Sequence, residues 1–176
     1  TTMEINAQTE AFGRSYSRAD LIKFCDLTRG QSEIWTSRGL ISTIKDAGSG
    51  NHRQYSFFNL VEAKIAKRLS EGFGMAAGDI SDILDNFRSW MNDRAYMANM
   101  ENFFMSDFVL VIHQKGTAPR TDVYQGGLPD DFFLPFAVVI SIGMVANELL
   151  DQILEAENSS NWWGNAFYER RARKMG

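Results

Sequence analysis

Cysteine is nearly absent: the chain has one, Cys25, among 176 residues. No disulfide framework and no multi-cysteine cluster can form within one chain, which fits a reducing, cytoplasmic setting. Histidine is scarce too. His52 and His113 lie far apart, and neither sits in metal-ligand spacing. The longest apolar run, Phe132 to Ala146, is interrupted by Pro135, Ser141 and Gly143 and stops at Asn147-Glu148. It falls short of the roughly 20 residues a span needs, so no membrane partner is expected. Thr1 to Gly13 has no basic start and no apolar stretch, so no signal peptide is expected, and residues 1–15 read as a disordered lead-in. Catalytic signatures are missing as well. Gly48-Ser49-Gly50 lacks the lysine of a phosphate loop, no serine sits in a nucleophile elbow, and Asp130-Asp131 after Pro129 is turn chemistry. The expectation is a protein that is not an enzyme and carries no cofactor or metal.

What is present is ordinary globular material, 44% apolar and 23% charged, long enough to bury a core. The net charge is −4, unevenly spread. Thr1 to Ala95 holds 12 Lys+Arg against 12 Asp+Glu, and the remainder holds 6 against 10. Any nucleic-acid contact would therefore depend on local clustering of basic groups.

Local signals are densest in residues 16–85. Ser17 is a good N-cap with Asp20 three residues on, and Leu21, Ile22, Phe24 and Cys25 form an apolar helical face, which makes Cys25 most simply a small core residue. Thr28 followed by Gln31 is a capping box, the helix runs through Ile34 and Trp35 toward Arg38, and Gly39 ends it. The short connection between the two helices forces a sharp angle. Ile41 to Ile44 and His52 to Tyr55 read as weak strands around the glycine turn Lys45 to Asn51. Ser56 caps a third helix that buries Leu60, Ala63, Ile65, Ala66 and Leu69 and leaves Lys64, Lys67 and Arg68 to solvent, until Gly72 and Gly74 break it. From Met75 a stripe of Ile80, Ile83, Leu84, Phe87, Trp90 and Met91 starts a helix that can run past Tyr96, and residues 86–104 read as a connecting, dimerising helix.

The second half changes period. Phe108 to Ile112 and Ala137 to Ile142 read as buried strands, Asp122 to Tyr124 as a third, and Gly143 to Glu157 as an amphipathic helix. Residues 105–157 form a small β-β-β-α unit, and residues 158–176 a tail with Trp162-Trp163, Phe167-Tyr168 and the basic run Arg170 to Lys174. The fold class expected is mostly α with small β: an N-terminal winged helix-turn-helix, a connecting helix and a C-terminal α+β unit.

Residues 16–85 resemble the N-terminal domain of the MerR family of bacterial transcription regulators. The resemblance rests on Tyr16-Ser17, on Trp35 to Leu40 as aromatic-x-x-x-Gly-Leu, on Arg53 to Ser56 as Arg-x-Tyr-Ser, and on Gly72-Phe73 before another helix. It implies a homodimer on double-stranded DNA at a pseudo-palindromic operator, with RNA polymerase as a further partner and an unspecified small-molecule effector. It also implies that the second helix enters the major groove and the hairpin contacts phosphates. The DNA-contact candidates are then Tyr16, Arg18, Thr28, Arg29, Gln31, Ser32, Trp35, Lys45, His52, Arg53 and Tyr55. Arginine can pair with guanine and glutamine with adenine, though Gln31 is also the capping partner of Thr28. Tyr55 either donates its hydroxyl to phosphate or packs the ribbon. Glu33 departs from the family's usual arginine, and a carboxylate facing phosphate repels. The cysteines of metal- and redox-responsive members are missing. The second half, in the segment Ala137 to Leu154, resembles small strand-strand-helix tails attached to some uncharacterised MerR-like regulators, which implies no known ligand. Two alternatives stay open: an architectural, excisionase-like DNA-bending protein, and a winged protein-interaction module without DNA binding.

Overall fold

The computed structural model describes residues 10–44, 53–93, 109–115, 118–124, 128, 130 and 137–174, the last stretch from 159 onward by its backbone alone. The described fold is mostly helical with one small antiparallel sheet. Helix α1 spans Arg18–Cys25, α2 Arg29–Ser37, α3 Phe57–Lys67 and α4 Ala77–Asp93. Strands β1 (Val109–Lys115), β2 (Ala118–Tyr124) and β3 (Ala137–Ser141) follow, and α5 runs from Ile142 to Lys174.

The first three helices start by the same device. Ser17, Thr28 and Ser56 each accept a hydrogen bond from the backbone N–H three residues on, and Asp20, Gln31 and Asn59 accept one back from the cap's own N–H. Each box satisfies two donors that a helix start leaves orphaned, and a cap of this kind is worth about 1 kcal/mol. The stops are equally local. Asp26 closes α1 in the left-handed region at φ 54°, a conformation that aspartate tolerates. Gly39 reverses the chain after α2 at φ 74°, which lets Leu40 N–H reach the Trp35 carbonyl at 2.8 Å. Asp26, Leu27 and Thr28 alone separate α1 from α2. After α3 the helix widens into a π-type turn at Arg68–Gly72 before Gly74 turns the chain at φ 64°.

Helix α3 is the hub. Its neighbours include α1, α4 and α5. Enclosure explains the largest difference from the expected pattern: Lys64, expected in solvent, is only 8% exposed, and Glu62 is fully buried. Both are tolerated inside because each is paired. Lys64 Nζ donates to the Phe24 carbonyl at 3.2 Å and to Gln152 Oε1 at 2.7 Å, and it sits 3.0 Å from Glu148 Oε1.

Tyr16 and Tyr55 exchange backbone hydrogen bonds of 2.8 and 2.9 Å in a single antiparallel bridge. Tyr55 thus pairs with Tyr16, and the strands expected at 41–44 and 52–55 are a correction: neither 41–44 nor 53–55 forms one, and a backbone bond from Ile44 N–H to the Gln54 carbonyl at 2.9 Å links the two segments. Positions 45–52, the expected tip, lie outside the described residues. The lead-in is a correction in part. Residues 10–13 are helical, Ala11 is buried, and Phe12 sits on Phe57 with ring centroids 5.1 Å apart. Burying these apolar groups offsets the entropy of ordering the segment.

In the sheet β1 is central, in the order β2-β1-β3, with both pairings antiparallel. Leu110, Val111 and Ile112 are all buried, so β1 reads as a continuous apolar run. Strand β3 was expected to be buried and is instead an edge: Ile140 faces inward while Val139 is 47% exposed. Its end also differs, because Ile142 already belongs to α5. The expected helix 143–157 continues in its backbone to Lys174, where a tail was expected. Ile142, Val145, Ala146, Leu149, Leu150 and Ile153 form the buried stripe of α5, which packs on α3 and α1, and β2 packs on α4. The two halves therefore share one core, in which each fully buried Leu or Ile contributes about 1.5–3 kcal/mol. The connecting helix expected at 86–104 is described only to Asp93.

Candidate nucleic-acid interface

The eleven residues singled out from the sequence separate into three groups. Tyr16, Ser32, Trp35 and Tyr55 turn inward and leave the candidate surface. Tyr16 donates its hydroxyl to the Ala11 carbonyl at 2.8 Å, and burial pushes its phenol up to about 12 despite the opposing charge of Arg14. Tyr55 shares a 3.2 Å hydrogen bond with Thr36 Oγ1. Ser32 donates to the Arg29 carbonyl at 2.9 Å. Tyr16, Ser32 and Tyr55 are amphipathic or small, so their polar atoms are satisfied within the fold while their bodies fill it, and Trp35 is buried beside them.

Thr28, Gln31 and Arg18 form the second group, and they hold the helix pair. Thr28 and Gln31 cap α2 at 2.9 and 3.1 Å, and Gln31 Nε2 also reaches Glu71 Oε1 at 3.4 Å. Arg18 crosses from α1 to α2: Nε donates to Ser32 Oγ at 3.2 Å, Nη2 donates to the Arg29 carbonyl at 3.4 Å, and Nη2 lies 3.3 Å from Glu33 Oε2. The guanidinium fork braces the angle between α1 and α2.

Arg29 and Arg53 remain, with Lys45 and His52 outside the described residues. Arg29 is exposed at the first turn of α2, and Arg53 is half-buried two residues before the bridged Tyr55. Arg38 joins them, exposed at the C-cap of α2. It was read from the sequence only as a helix end, and its side chain gave no periodic signal. Between the two arginines the outward face of α2 presents Gly30, Glu33, Ile34 and Ser37, with Ile34 49% exposed. Ile34 and Arg38 also line a groove of ≈ 380 Å³ with Trp35, Leu40, Ala77, Gly78 and Ser81.

A second cleft, ≈ 690 Å³, lies where α1, α3 and α5 meet. Most of its charges are matched: Lys64 and Arg68 both pair with Glu148, and Lys67 pairs with Glu71 at 2.5 Å, while Lys23 and Asp26 also line it. Cys25 borders it, but burial pushes the thiol up to about 12, and Sγ donates to the Leu60 carbonyl at 3.3 Å. That is an inert thiol. Among the described residues no group of three or more His, Cys, Asp or Glu could hold a metal ion, and no helix is long and apolar enough to cross a membrane.

No protein-family model matches the chain, and no curated protein matches it in sequence.

Proposed function

We propose that the chain is a dimeric, winged helix-turn-helix, sequence-specific DNA-binding regulator of the MerR type, with α2 as the reading helix and the hairpin as the wing. One observation carries the reading. From Arg14 to Arg88, the arginines Arg14, Arg18, Arg68 and Arg88 all sit in ion pairs. Arg29, Arg38 and Arg53 have no ion pair with any described residue. Guanidinium groups without an ion pair among the described residues, at both ends of one short helix and beside the Tyr55 bridge, suit phosphate oxygens, which position a protein on the duplex. Cytoplasmic placement and an operator of two half-sites belong to the same proposal.

A second reading is favoured by the middle of that helix face. Glu33 is anionic and Ile34 is half-exposed beside an apolar groove, which suits a protein partner better than a phosphate backbone. Selection of bound fragments from random duplex DNA by purified protein separates the two. A recovered inverted repeat with half-sites about one helical turn apart supports the regulator. Recovery of no enriched sequence, with no salt-dependent DNA binding, supports the interaction module.

A further inference from the structure

Glu62 is a fully buried carboxylate whose four contacts come from three elements. Oε1 accepts from Arg88 Nε of α4 at 2.6 Å. Oε2 accepts from Ser42 N–H at 3.3 Å and Ser42 Oγ at 2.7 Å, both on the segment that follows α2, and from Asn59 Nδ2 of α3 at 3.3 Å. Arg88 is equally committed. Nη2 donates to the Leu40 carbonyl at 2.6 Å and Nη1 to Asp85 Oδ1 at 2.6 Å. Both oxygens of the carboxylate and all three nitrogens of the guanidinium are engaged. The pair thus grips Leu40 and Ser42, one residue either side of Ile41, from α3 and α4 together.

We propose that Arg88 is a positioning residue that sets the direction of the hairpin root. With Glu62 it makes the root move with α4, and α4 carries strand β2 of the sheet. A displacement of the sheet then reaches the hairpin arm through one buried ion pair. A buried pair of this kind costs desolvation, and apolar residues would fill the same space at least as stably. Its directional hydrogen bonds supply what apolar packing lacks, a fixed orientation of the chain at Leu40 and Ser42. The consequence for DNA contact by Arg53 rests on the function proposed above, whereas the mechanical link does not.

Native-state amide exchange tests the link without any DNA. In Arg88→Gln the amides of Ser42 and Ile44 are expected to exchange at least about tenfold faster relative to Leu60 in α3. Arg88→Lys, which keeps the charge, should recover part of that protection, and Asp85→Asn, which removes only the exposed arm, should leave it unchanged. Ser42→Ala releases the hairpin side without orphaning a charge, and it should loosen the same two amides if Arg88→Gln does not fold. Uniform acceleration at all amides, or none at Ser42 and Ile44, would overturn the proposal. Where a bound duplex is in hand, Arg53→Ala should weaken binding in the parent chain and have little further effect in Arg88→Gln. That arm fails together with the proposed function if no DNA binds, and the exchange result stands apart from it.

Discussion

Replacing Lys64 by methionine removes a charge and keeps the aliphatic stem, so it isolates what the ammonium does for the docking of α5. The loss can be worked contact by contact. The Phe24 carbonyl, buried near the end of α1, loses its 3.2 Å donor, and an orphaned buried acceptor costs about 1–3 kcal/mol. Gln152 is half-buried and Glu148 retains Arg68, so both recover partners from water or from each other's surroundings at small cost. The desolvation of a nearly buried ammonium disappears, which offsets part of the loss. The net expectation for Lys64→Met is about 1–2 kcal/mol of destabilisation. Glu148→Gln acts the other way round and strands the Lys64 ammonium with neutral acceptors. Breaking a buried pair costs about 3–5 kcal/mol, and the Glu148 side chain is 41% exposed, so about 2 kcal/mol is a fair figure after solvent screening. In the double variant the stranded charge is gone, so the two losses should fall short of additivity by about 1–2 kcal/mol. Urea unfolding of the four proteins, read as shifts in midpoint at constant m, measures this. Additivity within about 0.5 kcal/mol would refute the bridging of α1, α3 and α5 by this pair.

Three further outcomes follow from particular contacts. Burial acts to raise the Glu148 carboxyl, and Lys64 and Arg68 outweigh it, holding it below its ordinary value of 4.5. Its contribution to stability is then present above pH 4.5 and lost as pH falls through the lowered folded value, so the parent and Glu148→Gln stability curves should converge in acid; a gap constant down to low pH would contradict this. Cys25 should resist thiol reagents at pH 8 until urea unfolds the chain, as followed by colorimetric labelling, because its thiol is buried and pushed up to about 12. Thr28→Ala removes the α2 cap and should cost about 1 kcal/mol in urea unfolding, with the amide of Gln31 losing protection before that of Trp35.

Features encoded within three or four residues were legible from the sequence. The caps at Ser17, Thr28 and Ser56 and the stop at Gly39 each depend on one side chain and one nearby backbone group. Tertiary enclosure was not. Glu62 and Lys64 carry the chemistry of a solvated helix face, and only the arrival of α1, α4 and α5 around α3 makes that face internal. The Tyr16–Tyr55 bridge joins single residues far apart, with no alternating pattern to announce it. Val139 shows the converse: an apolar run does not reveal whether a strand is central or an edge. At the candidate interface, Arg29 and Arg53 were singled out through the resemblance, and both keep an outward or half-buried side chain. Tyr16, Ser32 and Tyr55 came from the same resemblance, and the fold uses their polar atoms internally, while Trp35 is buried. Arg38 was passed over because a helix terminus hides which way its side chain lies.

The proposed function turns on whether Arg29, Arg38 and Arg53, which have no ion pair among the described residues, meet a DNA backbone, and the salt dependence of duplex binding tests it most directly. Log affinity should fall linearly with log salt, with a slope of about −0.9 for each phosphate neutralised. Arg53→Ala should flatten that slope by about one unit for each protomer's contact while leaving sequence preference intact. A slope unchanged by Arg53→Ala, Arg29→Ala and Arg38→Ala alike, or binding insensitive to salt, would contradict the claim.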